Sequence, residues 1–179
     1  MTLVINLFGG PGTGKSSTAA SIFSLLKAEN INCEMALEFA KDKVWEGSAH
    51  ILDNQLYVFG KQYHRIKRLE DKVDVIITDS PILLSLIYGF KESVAFHNLV
   101  REKHYEFDSI NYFLKREKAY NPAGRVQTED KAKLLDLAIN SVLLSNGIKY
   151  IELPADKATP ILIVKEVLER INLDIPTSL

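Results

Sequence analysis

Residues 9–16 are Gly-Gly-Pro-Gly-Thr-Gly-Lys-Ser, a match to G-x-x-x-x-G-K-[ST]. No other feature restricts the fold as much, because this pattern works only between a strand that enters it and a helix that leaves it. Both are predicted here. Residues 3–8 are apolar apart from Asn6, as expected of a parallel strand covered on both faces. Residues 15–27 place Ala19, Ile22, Phe23 and Leu26 on one helical side. In that setting the backbone turns tightly and aims successive N–H groups at one centre. The helix that follows adds its positive end. The pattern therefore assigns ATP phosphates to Gly10, Pro11, Gly12, Thr13, Gly14, Lys15, Ser16 and Ser17. Lys15 is expected on the β- and γ-phosphates, and the Ser16 hydroxyl on Mg²⁺.

Beyond this loop, strand-length apolar runs alternate with helical patterns. Strands are predicted over 33–39, 73–78, 110–114 and 150–153. Ser48 is the expected cap of a long helix with the stripe Leu52, Leu56, Phe59, Tyr63 and Ile66. A later helix carries Leu134, Leu135, Ala138, Ile139, Val142 and Leu143, and stops at Asn146-Gly147. The last helix is expected to start with Thr159 as cap and Pro160 at its first position. This alternation implies an α/β layer sandwich with a mostly parallel sheet. At 179 residues without a linker or a low-complexity tract, one domain spanning 1–179 is expected.

Composition narrows the function classes. Lys plus Arg is 22 against 23 for Asp plus Glu, so any anion-binding surface must be local. A single cysteine, Cys33, excludes an intramolecular disulfide and a cysteine-rich zinc site. The histidines show no metal-ligand spacing with cysteine or acids. No apolar run reaches membrane-span length, and the N-terminus lacks the basic lead-in of a secretory signal. A cytoplasmic location is the expectation.

A phosphate loop needs a carboxylate near its magnesium. Asp79, after the apolar run Val75-Ile76-Ile77-Thr78, is the candidate metal ligand beside Ser16. Glu38, at the end of the second predicted strand, is a candidate general base and acceptor contact, and Asp79 is the other carboxylate that is a candidate to take the proton. Lys115, Arg116, Lys118 and Arg125 surround a Pro/Gly-bearing stretch, expected to form a small lid over about 115–127. Its arginines, Arg116 and Arg125, are candidates for stabilising the transferring phosphoryl group. Gln55 and Gln62 are candidate contacts to a base or amide edge of the acceptor. Lys61, His64, Arg65, Lys67 and Arg68 form a basic run that reads first as a solvated face. Trp45, Tyr57, Phe59 and Tyr63 are expected in the core or in a pocket wall.

The order of glycine loop, Leu37-Glu38-Phe39-Ala40-Lys41, Ile76-Ile77-Thr78-Asp79-Ser80 and basic lid resembles the P-loop nucleoside and nucleotide kinases. It is most similar to the NadR-type AAA ATPase/kinase domain found in many phage proteins, although Lys41 stands where that family often has arginine. The resemblance implies a three-layer α/β/α fold with five strands in the order 2-3-1-4-5. It also implies an adenine-contacting loop at Pro154-Ala155-Asp156-Lys157, with Arg116 stacked on the base.

The expected function is transfer of the γ-phosphoryl group of ATP to a hydroxyl of a nucleoside- or nucleotide-like acceptor, with Mg²⁺ as cofactor. One alternative is a phage-type nucleic-acid kinase acting on a hydroxymethylated base or a 5′ end, suggested by the basic run and weakened by the near-neutral net charge. Another is an ATPase or switch module without acceptor chemistry.

Overall fold

Alternating side chains on three central strands divide the core into two layers. The computed structural model describes residues 2–117 and 128–173. Strand β1 (Leu3–Phe8) is buried at every position. Its Leu3, Ile5 and Leu7 join Val75 and Ile77 of β3 (Val75–Thr78) and Tyr112 and Leu114 of β4 (Asp108–Lys115) on one face. Helices α1 (Lys15–Ala28) and α7 (Thr159–Leu173) cover that face with Ala19, Ile22, Leu26, Ile163 and Val167. On the other face Val4, Phe8, Ile76 and Phe113 meet α3 (Gln55–Lys67), α5 (Val94–Tyr105) and α6 (Glu129–Ser145) through Phe59, Ile66, Phe96, Val100 and Ile139. Each such large apolar side chain contributes about 1.5–3 kcal/mol on burial.

The sheet is five-stranded in the order β2-β3-β1-β4-β5, with β2 (Cys33–Met35) and β5 (Ile151–Pro154) at its edges. All its pairings are parallel. Asn6 stands beside Thr78, so β1 and β3 end at the same margin of the sheet. The phosphate loop and Asp79 leave from that margin, where open α/β sheets bind ligands.

Several boundaries differ from expectation. The second strand stops at Met35, and Glu38 is the N-terminal flank of a short helix, α2 (Phe39–Trp45). Ser48 does not cap the long helix. A 3₁₀ turn over Ala49–Asp53 intervenes, and Asn54 caps α3 by accepting the Tyr57 amide at 3.1 Å. Leu52 thereby leaves the stripe, and Leu56 is exposed. Thr159 is not a capping side chain: Asp156 Oδ1 accepts the Ala158 and Thr159 amides at 2.9 Å each. Trp45 is 68% exposed and belongs to no core.

Candidate active site

The loop between β1 and α1 is bent at Gly9, Gly12 and Gly14, with φ of 141°, 81° and 102°. Gly9 is also sterically locked, because a Cβ there would stand 2.8 Å from Thr13 Oγ1 and 3.1 Å from the Leu114 carbonyl. Thr13 closes the turn by donating its hydroxyl to the Gly10 carbonyl at 3.0 Å. Lys15 folds back over the loop, and its Nζ donates to the carbonyls of Gly9 at 2.6 Å and Gly10 at 3.0 Å. Burial pulls its pKa below the ordinary lysine value, against the opposing fields of Glu38, Asp79 and Asp136. A half-buried ammonium so placed is matched to an anion.

Asp79 is only 2% exposed, at the end of β3. Its Oδ1 accepts the Glu38 amide at 2.9 Å, so the two sequence-predicted acids are brought together. The turn is tied further by Thr78, whose hydroxyl donates to the Ala36 carbonyl at 2.8 Å and accepts the Ser80 amide at 3.1 Å. The Glu38 carboxyl is half-buried, and its pKa is raised, first by burial and against the attraction of Lys15. Ser16 and Asp79 supply a hydroxyl and a carboxylate. Those are the hard oxygen donors Mg²⁺ takes when it keeps several waters and phosphate oxygens in its shell.

Arg116 lies at the phosphate loop, in a network that motif reasoning did not anticipate. Its Nη1 donates to the Pro11 carbonyl at 2.9 Å, and its Nη2 pairs with Asp136 of α6 at 2.9 Å. Asp136 also accepts the Gly10 amide at 2.5 Å. Tyr88, at the end of α4 (Ser85–Tyr88), is 41% exposed, and its hydroxyl pKa is raised, first by desolvation of the hydroxyl and then by the fields of Glu38 and Asp136. One signal for Asp136 was available: it is a carboxylate in line with the buried face Ala132, Ile139 and Leu143.

Other candidates fall elsewhere. Gln62 is a correction: it is buried, with Oε1 accepting the Phe39 amide at 3.0 Å and Nε2 donating to the Ala36 carbonyl at 3.5 Å. Its amide is spent on the main chain flanking Glu38 and supports that segment. Gln55 Nε2 donates to the Leu52 carbonyl at 2.6 Å, closing the 3₁₀ turn. In the basic run, Arg65 pairs with Asp42 and donates to the Leu37 carbonyl, Lys67 pairs with Glu70, and Lys61 lies over the Tyr57 ring. Arg125 and the predicted lid from 118 to 127 lie outside the described residues. The loop after β5 packs on the phosphate loop, its Ala155 Cβ lying 3.6 Å from where a Cβ on Gly14 would stand. Among the described residues no helix is long and apolar enough to cross a membrane.

A protein-family model described as an AAA domain matches residues 4–159. No curated protein matches the sequence significantly. Among solved structures the chain is similar to the YorR protein from Bacillus subtilis in complex with phosphorylated GDP, with a TM-score of 0.55, 17% identity and 97% of each chain covered. It is also similar to deoxyadenosine kinase from M. mycoides with bound dATP, with a TM-score of 0.52, 15% identity, and 94% of this chain and 99% of that chain covered. At these identities the likeness shows the fold alone, an α/β fold with a five-stranded parallel sheet in the order 2-3-1-4-5.

Proposed function

The chain belongs to the AAA domain family, and from that premise we propose that it transfers the γ-phosphoryl group of ATP to a hydroxyl of a nucleoside-like small molecule. The observation that carries this reading is Glu38: a half-buried carboxyl within the field of Lys15, its main chain held by Asp79, with a raised affinity for a proton. A carboxyl so placed can take the proton of an attacking hydroxyl as its oxygen bonds to phosphorus. In the reaction, the acceptor hydroxyl gives its proton to Glu38 while its oxygen bonds to the γ-phosphorus. The bond from that phosphorus to the β–γ bridging oxygen breaks, and ADP leaves with the electron pair. Lys15 and the loop amides hold the phosphates in line and offset their charge. Ser16 and Asp79 would hold Mg²⁺, which screens the β- and γ-phosphate oxygens when bound.

An open hollow of about 740 Å³, lined by His50, Ile51, Asp53, Asn54, Tyr57 and Glu92, lies over the start of α3. Tyr57 meets the ring of Phe39, the residue after Glu38, edge-on at 5.7 Å. A small acceptor is favoured over a nucleic acid because Arg65 and Lys67 of the basic run are already paired with acids. The test is ATP-dependent phosphorylation across a panel of nucleosides, ribosides, nucleoside monophosphates and oligonucleotides. Transfer to a nucleoside or riboside is expected, and consumption of ATP with no labelled acceptor in the panel rejects the reading.

A further inference from the structure

Helix α6 touches the phosphate loop through a side chain that no phosphate motif contains. Asp136 Oδ1 accepts the Gly10 amide at 2.5 Å, while Oδ2 accepts Arg116 Nε at 3.2 Å and Nη2 at 2.9 Å. Arg116 Nη1 closes the circuit on the Pro11 carbonyl at 2.9 Å. Three segments far apart in the chain thus meet in one charge-assisted ring of hydrogen bonds. The side chains of Arg116 and Asp136 are 12% and 21% exposed, so solvent screens their attraction weakly.

The contact is close as well as polar. A Cβ on Gly10 would stand 2.6 Å from Asp136 Oδ1 and 2.7 Å from the Ala132 carbonyl, so only glycine lets the helix approach this far. Ala132, Asp136, Ile139 and Leu143 follow helical spacing along the side of α6 that faces inward, and the other three are buried apolar residues. A carboxylate inserted in that row destabilises the helix packing unless it is partnered. Among the described residues its hydrogen-bond partners are Gly10 and Arg116, and its field reaches both Lys15 and Tyr88.

We propose that Asp136 is a positioning residue for nucleotide binding and transfer: it sets the outer turn of the phosphate loop through Gly10 and holds the Arg116 guanidinium against Pro11. The proposal rests on the phosphotransferase reading for its kinetic consequence, but not for its binding consequence. Asp136 and Arg116 act as a nearly neutral unit beside the phosphate site. Removing the arginine alone leaves a bare carboxylate facing an incoming triphosphate. Removing only the charge of Asp136 preserves an oxygen for Gly10 but frees the guanidinium from its place.

The experiment is a double-mutant cycle on the full chain with Arg116→Ala, Asp136→Asn and both together. Dissociation constants for ATP are measured by calorimetry well below each melting midpoint, and kcat and KM on the best acceptor of the panel. Arg116→Ala is expected to weaken ATP binding about tenfold, and the double variant to recover most of that loss. Asp136→Asn is expected to keep KM for ATP within about threefold while kcat falls about tenfold or more, a split that lost stability alone does not produce. A double variant that binds no tighter than Arg116→Ala, or an Asp136→Asn variant with unchanged kcat, overturns the proposal. Should the unmodified chain bind ATP but phosphorylate nothing, the phosphotransferase reading fails and the binding arm still decides this one. Failure of the unmodified chain to bind ATP overturns both.

Discussion

The main-chain N–H of Glu38 donates to Oδ1 of Asp79 at 2.9 Å, joining two acids that lie 41 positions apart in the chain. The bond makes Asp79 more than a candidate metal ligand. It anchors the start of α2, and with it the carboxyl proposed to receive the acceptor's proton. A change at Asp79 therefore reaches Glu38 through the backbone.

Asp79→Asn retains an oxygen for the Glu38 amide but loses its charge, whereas Asp79→Ala loses both. Asparagine is expected to weaken magnesium-dependent ATP binding about tenfold to a hundredfold while leaving the fold intact. Alanine should lower kcat further at saturating ATP, because Glu38 is no longer held. Magnesium titrations of ATP affinity, paired with kcat at saturation, separate the two effects. Equal kcat for the two variants would show that the backbone anchor is immaterial.

Glu38→Gln is expected to lower kcat by about 10²–10⁴ with ATP affinity almost unchanged. It should also raise the melting midpoint at pH 7. Because the folded pKa of Glu38 is raised, protonation stabilises the fold. That contribution is fully present below the ordinary carboxylate value of 4.5 and is lost as pH rises through the raised one. At neutral pH the fold carries a half-buried charge that glutamine removes. In the unmodified protein kcat/KM should fall with acid at a pH above that of a free carboxylate. Paired melting curves and pH–rate profiles test this, and a glutamine variant that transfers phosphoryl groups at the normal rate refutes the base assignment.

Lys15→Ala removes the donor to the Gly9 and Gly10 carbonyls together with the cation expected on the phosphates. The loss in kcat/KM is expected to reach about 3–4 kcal/mol or more, the range for a preorganised charge aimed at the transition state. Isothermal titration and steady-state kinetics on one preparation give both parts. A loss confined to KM, with kcat intact, would limit Lys15 to ground-state binding.

His104 makes a separate stability test far from chemistry. It is buried on α5, and desolvation lowers its pKa to about 4 from 6.5. The folded form thus stays neutral where the unfolded chain is charged. Its stabilising contribution is present above pH 6.5 and is lost as pH falls toward 4, about 3 kcal/mol in all. Urea unfolding at intervals from pH 7 to 4 should show a shallower decline for His104→Leu than for the unmodified chain. Parallel slopes would refute the buried neutral histidine as a cause of acid instability.

Much of this architecture was legible. The 3–8 run, the glycine loop and the helix after it appear where they were expected, because each answers a local demand: apolar positions on both faces, a backbone bend at Gly9, and a helical start at Lys15. The strand order came from family resemblance, since periodicity carries no information about which strands are neighbours. The capping error at Ser48 has a plain cause. Two competent caps lie six positions apart, and only the packing of Phe59 and Ile66 on the sheet selects Asn54. Gln62 reads as a polar contact on an exposed helix, yet tertiary packing buries it against the chain beside Glu38.

The sequence by itself determined a phosphate loop on a parallel α/β sheet. Backbone freedom at particular glycines and the alternation of apolar side chains are written residue by residue, and they act over a few neighbours. Only the tertiary structure decided which side chains serve that loop. Gly10 meets Asp136 across 126 positions, and Glu38 meets Asp79 across 41, because folding brings separate elements to one margin of the sheet. Contacts of that kind depend on how α6 and the start of α2 pack, and they leave little periodic trace in the chain.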